Sequence, residues 1–111
     1  MALQQHFERL LNQLDKGQNG GCFAHQAAIE RGAEDPIVRE IVNAIFEDTK
    51  STYRRVIENG IADGDIRKHS VEDLVTYVMG MQRALIAMSK QRCSRQEQRD
   101  YARCALALLK P

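Results

Sequence analysis

Two patterns in this 111-residue chain could do chemistry. Cys22 and His25 stand in a Cys-x-x-His spacing where a helix is expected to begin, and a helix N-terminus lowers a thiol pKa. One reading is a thiol sensor at Cys22, another is half of a metal site, and a third is a small buried cysteine beside a surface histidine. A metal wants three or four ligands. His6 and His69 supply no supporting spacing, so no metal is expected. The second pattern is a pair of hydroxyls, Thr49 and Tyr53, on an otherwise apolar helical stripe. A polar group there needs a partner, from the chain itself or from a ligand.

Other groupings point away from catalysis. No phosphate loop, nucleophile elbow, zinc-binding helix or Ser/His/Asp arrangement is present, and the glycine-rich stretch 17–21 follows a helix rather than a strand. No enzyme activity and no cofactor are expected. Lys90, Arg92, Arg95, Arg99 and Arg103 gather around the last turn and one helix face. Glu97 and Asp100 interrupt them and no aromatics alternate with them, so a solvated face fits better than a nucleic-acid grip.

The elements that must position these groups read as all-α. The chain is 43% apolar and 28% charged, with a net charge of +1, which suits one globular domain over 1–111 and argues against direct nucleic-acid contact. No apolar run approaches the roughly 20 residues of a membrane span, and no leader pattern opens the chain. Three cysteines without framework spacing suggest reduced thiols, hence a cytoplasmic location.

A first helix over 3–14 places Leu3, Phe7, Leu10, Leu11 and Leu14 on one face. A short helix over 22–31 follows. A long third helix opens with Asp35 as N-cap and Pro36 in the first position, and Gly60 is its expected left-handed stop. Its stripe is broad, built from the pairs Ile37/Val38, Ile41/Val42, Ile45/Phe46, Thr52/Tyr53 and Val56/Ile57, and Ile66 is expected to plug back into the core. Ser70 caps a fourth helix over 71–90. Ser94 and Glu97 form a capping box for a fifth over 94–110, with Tyr101, Cys104, Ala105 and Leu108 inward.

The fourth helix carries two apolar stripes, Leu74–Val78–Met81–Leu85–Met88 and Val75–Met79–Ile86. One stripe can serve the chain's own core, and the second asks for another copy of the chain. The last two helices are therefore expected to form a dimerisation hairpin, with Leu74, Val78, Leu85, Tyr101, Ala105 and Leu108 as contacts. Gly80 within the fourth helix suggests a close helix–helix approach there.

The order of these elements resembles the C-terminal half of TetR-family transcriptional regulators. The resemblance rests on Gly21-Cys22-Phe23-Ala24 with its Ala-Ala-Ile-Glu continuation, on the Asp35-Pro36 helix start, on the corner from Val56 through Gly60 and Gly64 to Ile66, on Ser70 to Leu74, and on Met79 to Ser89. It implies a five-helix ligand-binding and homodimerisation bundle. The DNA-binding half of such regulators is not represented in these residues. By this resemblance, a small apolar effector would sit among the helices preceding the hairpin, lined by Phe23, Ile45, Phe46, Thr49, Tyr53 and Met81, with Phe7, Leu11 and Ile41 nearby. The alternative is a ligand-free helical module that pairs with a full-length regulator.

Overall fold

The computed structural model describes residues 2–15 and 34–111. They form four helices and no strand: α1 (Ala2–Asp15), α2 (Pro36–Asp63), α3 (Val71–Lys90) and α4 (Arg95–Ala107). The helix expected over 22–31 lies outside the described residues, and Cys22, Phe23 and His25 lie there with it.

Local chemistry sets most of the helix ends. The Asp35 carboxylate accepts the backbone N–H of Ile37 at 2.9 Å, and Pro36 fills the first helical position of α2. Ser70 accepts from the Asp73 N–H at 3.3 Å, and Ser94 from the Glu97 N–H at 3.1 Å. Each cap satisfies a donor that the first turn leaves over and contributes about 1 kcal/mol.

The end of α2 corrects the expectation. Gly60 does not stop the helix. It runs to Asp63, and Gly64 takes the left-handed conformation at φ 81°. The Gly60 carbonyl accepts the closing bonds from the N–H groups of Asp65 and Ile66, at 2.8 and 3.1 Å. Gly60 is glycine for another reason, since a Cβ built there would run into the Ile66 side chain. Ile66 does fold back and is buried.

The helix α3 is the axis of the fold, touching α1, α2 and α4. Leu74, Val78, Met81 and Leu85 are buried, and so are Val75, Met79 and Ile86. Both of its stripes are therefore covered within one chain. An apolar surface that runs around a helix marks a central helix as readily as a subunit contact. The contacts expected at Leu74, Val78 and Leu85 are thereby corrected, because these side chains are core. Burying each stabilises the monomer by about 1.5–3 kcal/mol.

Two further faces are rotated from expectation. On α4 the inward residues are Gln98, Ala102, Ala105 and Leu106, followed by Leu109, while Tyr101, Cys104 and Leu108 face outward. On α2 the inward stripe is Val42, Phe46, Tyr53 and Ile57, and the outer members of the pairs, Ile37 and Ile41, are exposed.

Candidate functional site

Where α1, α2 and α3 meet, buried Tyr53 and Gln82 join half-buried His6 in one polar set. Tyr53 is fully buried, and its hydroxyl donates to Oε1 of Gln82 at 2.6 Å. The same oxygen lies 2.7 Å from Nε2 of His6. A phenol has one proton, and Gln82 takes it. The second contact is therefore His6 Nε2–H donating to the Tyr53 oxygen. The relay runs from α1 through α2 to α3 and ties three helices together.

The surroundings hold this relay neutral. Burial pushes the Tyr53 hydroxyl well above its ordinary value of 10.0. Burial, and then the nearby Arg9 charge, lower the His6 pKa from 6.5. The rings add apolar order: His6 meets Phe7 and Tyr53 edge-on at 5.1 and 5.2 Å, and Phe7 stacks on Tyr53 at 6.3 Å.

The residues expected to line a ligand site divide here. Tyr53 and Met81 are buried, and Phe46 packs partly buried against the core with the Arg83 guanidinium 5.4 Å from its ring centre. Thr49 is half-buried, but its hydroxyl donates to the Ile45 carbonyl of its own helix at 3.0 Å. Ile45 sits at the exposed edge. Phe7 and Leu11 are buried but also floor a groove of about 310 Å³ between α1 and α4. His6 and Gln82 went unforeseen. Gln82 could have been found, as a lone carboxamide between Met81 and Leu85 on an apolar helix.

The α3–α4 hairpin is clamped by polar contacts. Tyr77 donates to the Ala105 carbonyl at 2.6 Å, and buried Gln98 donates to the Leu85 carbonyl at 3.0 Å and to Ser89 Oγ at 2.7 Å. Burial and the neighbouring Tyr101 raise the Tyr77 pKa. Outside this clamp lies an apolar face, with Tyr101 36% and Leu108 64% exposed and Cys104 exposed between them. Gly80, expected at a close approach, has no other element among the described residues within 4 Å of a built Cβ. Arg99 and Arg103 of α4 lie on a solvated face, where Arg103 pairs with Asp100 at 3.3 Å, while Arg95 is half-buried. No cluster of three or more metal-binding side chains occurs among the described residues.

The described residues thus give four helices, a polar relay joining α1, α2 and α3, and a clamped final hairpin, an arrangement that a sequence family can be compared with. The family model described as tetracyclin repressor-like, C-terminal domain, matches residues 1–106. The chain belongs to that family. No curated protein and no solved structure matches it. Tetracyclin repressor-like C-terminal domains are regulatory parts of TetR-type regulators and typically bind effectors and pair with a second copy. Among the described residues of this tetracyclin repressor-like domain, the relay is a polar set inside the bundle and the outer hairpin face an exposed apolar one. No helix among its described residues is long and apolar enough to cross a membrane.

Proposed function

We propose that this domain senses a small apolar effector and homodimerises through its last two helices, controlling DNA binding by the intact regulator. The observation that carries the reading is the His6–Tyr53–Gln82 relay, a polar set built where three helices converge. Phe46 and Met81 beside it supply an aromatic face and a pliable thioether, the usual lining of small-molecule sites. A ligand that binds one packing of α1, α2 and α3 more tightly shifts the population toward it. The paired hairpins would carry that shift to the attached DNA readers.

The dimer contact in this reading is the outer face of the hairpin, with Tyr101 and Leu108 in contact and Ala105 behind them. The exposure of Tyr101 and Leu108 opposite the buried Ala102 and Leu106 supports it. Light scattering on the full chain tests this. The wild type should run at twice the 12.6 kDa chain mass, and Leu108→Glu at the monomer mass with unchanged helicity. A monomeric wild type would overturn the dimer.

A further inference from the structure

The groove of about 310 Å³ between α1 and α4 combines an apolar floor with charged walls. Phe7 and Leu11 of α1 and Ala102 and Leu106 of α4 make the floor, and all four are buried. Arg99 and Arg103 of α4 and Lys110 just beyond it stand among the walls, with Glu8 on the α1 side and Asp100 on the α4 side. Cations thus outnumber carboxylates three to two among the described lining. One of those carboxylates is already engaged within its own helix, since Asp100 Oδ1 accepts from Gln96 Nε2 at 3.0 Å and from Arg103 Nη2 at 3.3 Å. An exposed pair of this kind is worth little, so Arg103 can turn to a second carboxylate.

We propose that this groove is a binding site separate from the relay and takes an apolar carboxylate, its tail on the floor and its head group on the α4 wall. Size decides between a small molecule and a partner helix. One turn of helix, roughly 10 Å across and 5.4 Å high, exceeds the groove, whereas small-molecule sites begin near its volume. Along α1 the lining runs from Gln4 to Leu11, about 10 Å at the helical rise, which suits a medium-length acyl or arylalkyl tail. Arginine presents a planar fork that matches a carboxylate, and at the rim the charge keeps its water. Glu8 repels the head group and directs it to α4. The site goes beyond the apolar-effector reading and is compatible with the proposed dimer. Arg99, Arg103 and Leu106 recur at steps of four and three on one face of α4, and Tyr101 lies about half a turn away. Phe7 links the groove to the relay, since the ring that floors the one stacks on Tyr53 at 6.3 Å in the other.

The test titrates octanoate and octanamide, matched in shape and different in charge, into the isotope-labelled full chain at neutral pH. Octanoate should bind roughly fivefold or more tightly, and the preference should shrink as salt rises. Backbone amide shifts should centre on Leu11, Ala102 and Arg103. Arg99→Gln combined with Arg103→Gln, both at exposed positions that the fold tolerates, should bind the two probes equally. Ala107→Trp, at an exposed position of the lining, should weaken both. Equal binding by the wild type, or a preference that the double substitution leaves intact, overturns the proposal. Shifts centred on Phe46 and Met81 also overturn it, since the probe would then sit at the relay. Binding of neither probe overturns the groove as a site and leaves the apolar-effector reading, which needs no charged head group, standing.

Discussion

The junction around Tyr53 and the outer face of α4 break the usual inside-outside rule in opposite directions. At the junction, polar groups are buried and hydrogen-bonded to one another. On α4, Tyr101 and Leu108 lie in water although the helix buries Ala102, Ala105 and Leu106 nearby. A buried polar set is costly unless it is satisfied, and here the Tyr53 hydroxyl is bonded on both sides. Exposed apolar side chains cost the monomer little but attract a partner. In the proposed reading, sensing and pairing leave different marks, polarity where packing would favour carbon and carbon where water would favour polarity.

The largest expected effect lies between the two regions, on α3. Val78 is fully buried on the helix that touches every other described helix. Val78→Asp should cost about 4 kcal/mol or more, enough to unfold a marginal domain, with loss of the helical circular dichroism signal. Leu108→Glu, by contrast, should change the mass and not the fold. A folded Val78→Asp monomer would mean that α3 serves mainly as a subunit contact, and the comparison would collapse.

This contrast also shows what could be read from residues alone. The caps at Asp35, Ser70 and Ser94 were legible because a cap is a local bond between near neighbours. Ile66 was legible because a lone isoleucine after a turn has nowhere else to go. The phase of α4 was not. Tyr101 and Leu108 outrank Gln98 in apolarity, yet Gln98 is the buried one, because its carboxamide reaches the Leu85 carbonyl and Ser89 across the hairpin. The Gly60 stop failed for a similar reason. Two glycines four residues apart look alike, and only the return of Ile66 distinguishes the one that makes room from the one that turns. The relay stayed hidden because His6, Tyr53 and Gln82 are far apart in sequence and meet only through packing.

A middle-sized effect tests whether the relay is a satisfied unit. Tyr53→Phe keeps the ring and its stacking on Phe7 but removes the proton that Gln82 accepts and the oxygen that His6 contacts. Buried Gln82 and half-buried His6 lose their partner together. Stability by urea denaturation should fall by about 1–3 kcal/mol. A loss within about 0.5 kcal/mol would mean that the bonds are incidental, and the junction would then be ordinary core.

The smallest effect separates the regions by pH. His6 has a folded pKa below 6.5, so under acid the unfolded chain binds a proton that the fold resists. Stability should therefore fall as pH drops through 6.5 toward the folded value. Tyr53 works at the other end. Its folded pKa lies above 10.0, so as pH rises past that point the unfolded chain releases a proton the fold retains, and stability falls again. His6→Gln, whose amide can still donate toward the Tyr53 oxygen, should flatten the acid limb of the urea midpoint against pH. Tyr53→Phe should flatten the alkaline limb. Leu108→Glu, far from the relay, should leave the contribution of both groups in place. If His6→Gln and wild type lose stability in parallel below 6.5, the acid sensitivity belongs elsewhere, and the polar junction loses its acid-side distinction from the hairpin face.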